Sequence, residues 1–341
     1  MTDLRATVLY DKALACLLGG LVGDAMGTPS EGKHYQQIEA QYGWIADFEG
    51  SGTDDTVMKS LLAEALIRSD GYATLDDWAQ TWLDDWQAIF GPKVAKFFIS
   101  VLHTAHKVRR HSVPRMAALG NMPSSSSAMA ISPVGIVNAC NPRQAAQQAY
   151  NLASLIHTHD VAFCTDGAAA MAAAVAAAFL PGATISSVLD AAQSVILPLS
   201  GREMRERIAA ALALAAELGD YRAFRQAVYA QESRFFCGIP CDSRETIPLT
   251  LAVLWLSDGD TEKAVTFGAN LGRDADTMAT MAGSVAGALQ GMAGIKAAWR
   301  ARLGEAALLE QEQLAVRLAA VALSKAAQER AAQARLETIA S

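Results

Sequence analysis

Apolar residues recur every three or four positions along most of this 341-residue chain, the spacing of one face of an α-helix. No stretch alternates apolar and polar residues for long enough to predict a β-sheet. Alanine and leucine, two good helix formers, are frequent in these stretches. The pattern therefore predicts an all-α protein. The predicted helices cover 10–26, 56–69, 74–90, 92–109, 142–156, 165–180, 183–195, 201–217, 220–230, 246–256, 260–270, 276–291 and 295–302.

The sequence predicts one all-α domain over residues 1–303, followed by a helical extension over 304–341 that packs on it or extends from it. The extension is predicted to be either a helical pair or one long charged helix. The polar segment 111–127 comes nearest to a linker, but the apolar residues 128–135 follow it directly. We interpret this segment as a long loop within the domain.

Charge and hydropathy exclude several classes of protein. The 28 Lys and Arg against 35 Asp and Glu give a net charge of −7, so the chain lacks the attraction that general nucleic-acid binding requires. The longest apolar run, 168–180, is shorter than the roughly 20 residues that span a bilayer, and no signal peptide is evident. The five cysteines lack the spacing of a disulfide framework or a zinc site. These features predict a cytoplasmic protein, monomeric or homodimeric, without a membrane partner.

Two short strings place acids and threonines immediately before a predicted helix. They are Gly52-Thr53-Asp54-Asp55-Thr56 and Gly272-Arg273-Asp274-Ala275-Asp276-Thr277. Helix capping accounts well for one acid at each helix start. It accounts less well for two, because carboxylates held close together repel unless a cation lies between them. If the strings face each other, their carboxylates and hydroxyls are enough for a two-ion magnesium or manganese site. Capping alone stays open as the alternative.

A third string near the N-terminus joins closely spaced glycines to two acids. It runs from Gly19 to Glu31 and contains Asp24. The glycines suit a close approach of two backbones. No Gly-Lys-Ser/Thr follows, so the string is not a phosphate-binding P-loop. Taken alone, Asp24 and Glu31 are interpreted as ordinary surface or capping acids.

Together the three strings resemble the ADP-ribosylglycohydrolase family of all-α hydrolases. The family pattern has Gly-Asp-Ala-x-Gly followed by Glu, then Thr-Asp-Asp-Thr at a helix start, then Asp-x-Asp-Thr near the C-terminal end. This chain has the motifs in that order, at 23–27 with Glu31, at 53–56 and at 274–277. Segments 128–135 and 154–159 also resemble family segments. The resemblance extends from about residue 10 to residue 300.

The resemblance implies a fold, cofactors and a reaction. The fold would be a compact orthogonal bundle of helices, and the site would hold two Mg²⁺ ions, or Mn²⁺. One set of metal ligands would be Thr53, Asp54 and Asp55, and the other Asp274, Asp276 and Thr277. The reaction would be hydrolysis at the anomeric carbon of an ADP-ribosylated small molecule or protein side chain. Asp55 or Glu31 would activate water or protonate the leaving group, and both assignments stay open.

The candidate substrate-binding residues include a loop that departs from the family pattern. Where relatives often have a glycine-rich loop and an arginine, this chain has serines at 124–127, then Ala128, Met129 and Ala130. Substrate contacts are assigned to Ser125, Ser126, Ser127, Met129, His157 and Arg273. Arg273 is interpreted as the partner of a ligand anion or as a counter-charge to the acids. Two alternatives therefore stay open: hydrolysis of a smaller nucleoside- or nucleotide-like riboside, and a non-catalytic ligand-binding member of the fold.

Overall fold

The computed structural model describes residues 3–340, and twenty α-helices lie in that range. They are α1 (Val8–Gly27), α2 (Tyr35–Tyr42), α3 (Asp54–Arg68), α4 (Leu75–Asp84), α5 (Trp86–Phe90), α6 (Ile99–Arg109), α7 (Pro114–Ala117), α8 (Ser126–Met129), α9 (Ser132–Val137), α10 (Pro142–Ala153), α11 (Phe163–Ala178), α12 (Ile185–Ser194), α13 (Arg202–Leu218), α14 (Tyr221–Ala230), α15 (Glu232–Phe235), α16 (Ser243–Leu256), α17 (Thr261–Ala269), α18 (Ala275–Gln290), α19 (Ala297–Leu303) and α20 (Glu305–Ala340). Short 3-10 helices lie at Leu4–Ala6, Thr28–Ser30, Val94–Lys96, His159–Val161 and Gly291–Gly294. None of residues 3–340 lies in a β-strand, so the predicted all-α class is confirmed.

Two of the predicted helices are interrupted. The helix predicted over 74–90 breaks at Asp85, whose side chain instead accepts a hydrogen bond from the backbone N–H of Ala88 and caps α5. The helix predicted over 92–109 begins only at Ile99. Gly-Pro at 91–92 ends the preceding helix, because proline disfavours helix at the residue before it, and residues 94–96 form a 3-10 helix instead of α-helix. The loop that results borders the site described below.

Some short helices carry no periodic signal and were not predicted. Helix α2 has only one buried residue, Ile38, and α9 is buried at every position. Neither arrangement produces an amphipathic pattern that sequence periodicity detects. The segment 111–127 is mainly loop, as predicted, with α7 inside it and the start of α8 at its end.

The centre of the fold consists of helices rich in small residues. Helix α11 is buried from Cys164 to Ala178, α1 from Ala13 to Gly27, and α18 from Ala275 to Ala288. These helices have no polar face because other helices surround them. Helix α1 packs along α18, and α11 packs between α10 and α12. The α1–α18 pair carries acidic residues at one end, and there the candidate site forms.

The C-terminal region is one continuous helix, α20, rather than a helical pair. Its first half packs on α1, α3 and α9, with Leu314, Leu318 and Val321 buried. The hydroxyl of Ser324 donates to Asp70 Oδ2 at 2.9 Å. From residue 327 onward the described part of the helix is exposed. The helix is thus attached to the bundle along its first half.

Two further features concern the whole described chain. Within residues 3–340, no helix combines the length and the apolarity needed to cross a membrane. All five cysteines are free thiols: Cys16, Cys140, Cys164, Cys237 and Cys241.

Candidate active site

Close packing of α1 against α18 brings two buried acids together. Glycines lie at the contact, and a Cβ atom on either Gly19 or Gly283 would overlap the backbone carbonyl of the other. Small residues at a helix crossing let the two axes approach closely. As a result, Asp24 near the end of α1 lies beside Asp276 at the start of α18.

Asp24 is fully buried and holds the start of α3 in place. Its Oδ2 accepts hydrogen bonds from the backbone N–H groups of Thr53 (2.8 Å) and Thr56 (3.0 Å) and from the Thr56 hydroxyl (2.6 Å). Its Oδ1 accepts one from the Thr53 hydroxyl at 2.8 Å. These bonds satisfy N–H groups that have no partner within α3. Asp24 is therefore a capping acid, but it caps another helix and does not lie on the surface.

Three carboxylates converge at the α1–α3–α18 junction. One oxygen each from Asp24, Asp55 and Asp276 lies within 4.8 Å of the other two. The Thr277 hydroxyl donates a long hydrogen bond, 3.4 Å, to Asp55 Oδ2, whereas Asp55 Oδ1 is buried without a hydrogen-bond partner. Leaving a buried carboxylate oxygen unpartnered is costly. A hard divalent cation is the partner that such oxygens favour, so this cluster could hold a metal.

Burial makes the clustered carboxyl groups hard to ionise. Burial, with the charge of Asp24 adding to it, raises the pKa of Asp54 to about 8. Burial also raises the pKa of Asp274 to about 7. The pKa values of Asp55 and Asp276 lie well above the ordinary range, again mainly through burial and then through neighbouring carboxylates. A bound cation would favour the ionised forms of all four groups.

A buried lysine lies one turn after Asp55 on α3. Lys59 is fully buried, and its ammonium donates to the carbonyl of Leu17 at 3.2 Å. Burial lowers the pKa of Lys59, while the charge of Asp24 acts in the opposite direction. When protonated, Lys59 is a positive charge inside the protein that partly offsets the carboxylates.

The acidic residues line a cavity of 310 Å³. Of the residues predicted from the sequence, its wall includes Glu31, Asp54, Asp55, Ser125, Ser126, Met129, Asp274, Asp276 and Thr277. The wall also contains Cys241 and residues 95–99, which the sequence analysis did not identify. Four predicted residues do not line it: Thr53, Ser127, His157 and Arg273.

The serine loop is held from behind by a neutral histidine. His157 is fully buried; its Nε2 pairs with the Ser124 hydroxyl at 2.8 Å and its Nδ1 with the Ser127 hydroxyl at 2.9 Å. Burial lowers the pKa of His157 to about 3, which keeps the imidazole uncharged. On the cavity side, the Ser125 hydroxyl donates to Asp274 Oδ2 at 2.9 Å. His157 and Ser127 thus lie behind the wall that Ser125 helps to form.

Arg273 points away from the cavity. Its guanidinium makes two hydrogen bonds of 2.7 Å to the buried carboxylate of Glu245, from Nε to Oε1 and from Nη2 to Oε2. A buried carboxylate needs such a partner, so neither a ligand anion nor the acidic cluster is the partner of Arg273 here. Its backbone N–H donates to the Lys33 carbonyl (3.0 Å), and its carbonyl accepts from the Gly32 N–H (2.7 Å). Arg273 thereby holds the loop that carries Glu31.

Glu31 lies on the rim of the cavity and forms an ion pair with Lys96. The distance from Nζ to Oε2 is 2.7 Å, and the side chains are 39% and 38% exposed, respectively. Partial burial lowers the pKa of Lys96, but the hydrogen bond to Glu31 and the fields of Asp276 and Asp54 outweigh it, and the net shift is upward. Sequence reasoning missed Lys96 because residues 92–98 were predicted to belong to a regular helix.

Comparison with known proteins gives consistent matches. A sequence model of the ADP-ribosylglycohydrolase family matches residues 5–331. The "uncharacterized protein YegU" of Escherichia coli K12 is 26% identical over 334 residues, covering 91% of this chain and 96% of that protein. The ADP-ribosylhydrolase ARH3 of Mus musculus is 26% identical over 329 residues, covering 84% of this chain and 85% of that protein. A solved structure described as an ADP-ribosylglycohydrolase-related protein complex has a TM-score of 0.68 at 20% identity. The match covers 92% of this chain and 99% of that chain, and it shows the same fold.

The family match extends over nearly the whole chain and includes every element that builds the site. It contains the end of α1 with Asp24, the start of α3 with Asp55, and the start of α18 with Asp276. The acids that could hold a metal thus come from three separate parts of the matched region. The chain belongs to the ADP-ribosylglycohydrolase family and is a hydrolase of the glycohydrolase type.

Proposed function

We propose that this protein hydrolyses the bond at the anomeric carbon of an ADP-ribosyl substrate and releases ADP-ribose, with two Mg²⁺ ions, or Mn²⁺, as cofactors. One set of metal ligands is Thr53, Asp54 and Asp55, and the other is Asp274, Asp276 and Thr277. The observation that carries the proposal is the convergence of acids from α3 and α18 on one cavity, with Asp55 Oδ1 buried and unpartnered. We also propose that the protein is cytoplasmic, because its five cysteines are free thiols and would stay reduced in that compartment.

The donor atoms suit hard divalent cations. The proposed ligands are carboxylate and hydroxyl oxygens, which Mg²⁺ and Mn²⁺ prefer. One oxygen each of Asp24, Asp55 and Asp276 lies within 4.8 Å of the other two. These three carboxylates repel one another unless protons or a cation lie between them. Bound there, the ions would supply Lewis acidity and lower the pKa of a coordinated water.

Two carboxyl groups are assigned to proton transfer. Cleavage at an anomeric carbon passes through an oxocarbenium-like state and needs groups that protonate the leaving atom or activate water. Asp55 lines the cavity, is buried and accepts a long hydrogen bond from the Thr277 hydroxyl. Glu31 lies on the rim of the cavity, partly exposed and paired with Lys96. The variants described below separate the two roles.

The serine side of the cavity is assigned to substrate binding. The residues are Ser125, Ser126, Ser127, Met129, His157 and Arg273. Ser125 and Ser126 line the cavity and would contact the substrate directly. His157 would act by fixing the serine loop. Arg273 would act through its backbone, which holds the loop carrying Glu31.

A smaller riboside is the second candidate substrate. The cavity of 310 Å³ lies at the lower end of the range for small-molecule sites, about 300–1,000 Å³. Serines 124–127 also stand where the family often has glycines that let a diphosphate approach the backbone. A non-catalytic ligand-binding role is the third candidate, and it predicts cation or nucleotide binding without turnover.

The test is a product assay by liquid chromatography and mass spectrometry in the presence of Mg²⁺. Substrates are ADP-ribosyl-arginine, an ADP-ribosyl-serine peptide, O-acetyl-ADP-ribose and a panel of nucleosides. We expect wild type to release ADP-ribose, Asp276→Ala to release none, and the exposed control Asp190→Ala to match wild type. Glu31→Gln and Asp55→Asn variants then assign the acid and base roles through their pH–rate profiles.

The other outcomes select the alternatives. Release of ribose or ribose phosphate from a small riboside would favour the second candidate. Absence of turnover by wild type, together with measurable binding of ADP-ribose, would favour the non-catalytic role.

A further inference from the structure

The cavity wall carries many acids and a single basic side chain. Its carboxyl groups belong to Glu31, Asp54, Asp55, Asp274 and Asp276. Among the described residues that line it, Lys96 is the only lysine or arginine. Where its carboxyl groups are ionised, this wall repels a phosphate, and the opposite charge is supplied by a bound cation or by Lys96. The place of Lys96 therefore bears on which ligands the cavity accepts.

Lys96 is paired with Glu31 in a way that allows exchange of partners. Both side chains are more than a third exposed, and such surface ion pairs contribute little net stability. An ammonium is a point charge on a flexible stem, so Lys96 can turn toward another anion without a change of backbone. The pair thus holds the two charges near the rim without fixing either one.

The backbone beneath Lys96 is held firmly, in contrast to its side chain. Lys96 ends a 3-10 turn, and the next residue, Phe97, is buried in the core. Lys93 at the start of the turn donates from Nζ to the carbonyl of Gly52 at 2.7 Å. This bond ties the turn to the loop that precedes α3. The backbone from which Lys96 extends is therefore held at the rim, while its side chain can turn.

We infer that Lys96 makes the site selective for phosphorylated ribosides by exchanging its partner from Glu31 to a phosphate of the ligand. The inference rests on the proposed function and assigns the residue that would distinguish phosphorylated from unphosphorylated ribosides. A phosphate that replaces Glu31 at Lys96 also leaves the Glu31 carboxyl group unpaired beside the ligand. Lys96 is thus a specificity residue for the ligand and a positioning residue for Glu31.

The first test is calorimetric binding with Mg²⁺ present, using ADP-ribose and ribose 5-phosphate against ribose and adenosine. Lys96→Met should weaken binding of the two phosphorylated ligands tenfold or more and leave adenosine and ribose unchanged. Lys96→Arg should restore most of the affinity. The matched control is Lys296→Met, because Lys296 forms a similarly exposed pair, with Glu262, outside the cavity. Equal binding of phosphorylated ligands by wild type and Lys96→Met would overturn the inference.

The second test removes the competing partner. If Glu31 and phosphate compete for Lys96, Glu31→Gln should bind ADP-ribose several-fold more tightly than wild type. The gain should disappear in the Glu31→Gln, Lys96→Met double variant. A gain that persists in the double variant would show that Glu31 repels the ligand independently of Lys96, contrary to the inference.

The two proposals fail in different ways. Wild type that binds phosphorylated ribosides through Lys96 but hydrolyses none of them contradicts the proposed function and supports the inference. Wild type that hydrolyses an ADP-ribosyl substrate with the same KM and kcat as Lys96→Met supports the proposed function and contradicts the inference. Wild type that binds adenosine but neither phosphorylated ligand also contradicts the inference.

Discussion

Gly27 lies directly against the backbone of Asp276, with no space between them for a Cβ atom. A methyl group on Gly27 would overlap the N and Cα of Asp276. This contact ends the α1–α18 packing and sets the separation between Asp24 on one helix and Asp276 on the other. The geometry of the carboxylate cluster thus depends on the absence of a side chain.

Gly27→Ala should therefore damage both stability and the cluster. Adding a side-chain atom to a filled site costs about 1–3 kcal/mol. Here the added methyl group would meet the backbone of Asp276, which cannot relieve the overlap by a change of rotamer. We expect the free energy of unfolding in urea to fall by about that amount and Mg²⁺ binding to weaken. Gly238→Ala is the control, because no atom lies within 4 Å of the place its Cβ would take. Equal stability of the two variants would contradict this account.

Asp24→Asn should separate the capping role of Asp24 from its charge. An asparagine can keep an oxygen toward Thr56 and turn its amide toward the Thr53 hydroxyl, so most of the hydrogen bonds survive. We expect the melting temperature of the metal-free protein to change little, while affinity for Mg²⁺ falls about 10–100-fold, as is typical for groups that support a metal site. Asp24→Ala should also lose about 1–3 kcal/mol of stability, because it leaves buried N–H groups unpaired. Wild-type Mg²⁺ affinity in Asp24→Asn, measured by calorimetry, would rule out the role of the charge.

The parts of this structure that sequence predicted best are those set by local patterns. Composition and length predict α1, α11 and α18, because each is a long run rich in residues that favour helix. The acids at 54–55 and 274–276 stand at helix starts, as their position before an apolar run predicts. The convergence of these two helix starts on one cavity depends on tertiary packing, and only the family resemblance pointed to it.

The residues missed by sequence reasoning are those whose surroundings come from distant parts of the chain. Asp24 has the spacing of an ordinary capping acid, and its partners lie on α3 rather than α1. Lys96 lies in a loop that the periodicity predicted as helix, and its partner Glu31 is 65 residues away in the sequence. Arg273 is adjacent to the acidic string, yet its side chain turns to Glu245. Side-chain direction of this kind is decided by packing, which a single sequence does not display.

Mg²⁺ should stabilise the protein, and more so at higher pH. The pKa values of Asp54 and Asp274 are raised, to about 8 and about 7, so the native metal-free state binds protons that the unfolded state has released. The free energy of unfolding then falls as pH rises toward 8, by about 1.4 kcal/mol per pH unit for each carboxyl still protonated. A cation that replaces these protons removes the penalty.

The measurement for that prediction is a thermal melt with EDTA and with Mg²⁺ at pH 6.5 and at pH 8.5. We expect the melting temperature in EDTA to be lower at pH 8.5 than at pH 6.5. In Mg²⁺ the decrease should be much smaller. At a Mg²⁺ concentration 100 times its Kd, the added stability should be about 2.7 kcal/mol. The Asp54→Asn, Asp274→Asn double variant should show a smaller pH dependence, and the part that remains belongs to Asp55 and Asp276, whose pKa values are also raised. A stabilisation by Mg²⁺ that is equal at both pH values would contradict the assignment.

His157 should make the protein less stable in mild acid. Its pKa is lowered to about 3 by burial, while in the unfolded chain it lies near about 6.5, so between these values only the unfolded state binds the proton. Stability from this group is full above pH 6.5 and is lost as pH falls, by about 1.4 kcal/mol at pH 5.5. In urea titrations, His157→Gln should be less stable than wild type at pH 8, because it loses bonds to Ser124 or Ser127. The difference in the free energy of unfolding between wild type and His157→Gln should be smaller by about 1.4 kcal/mol at pH 5.5. His159→Asn, at an exposed histidine, should parallel wild type, and a gap for His157→Gln that stays constant with pH would exclude a buried neutral imidazole.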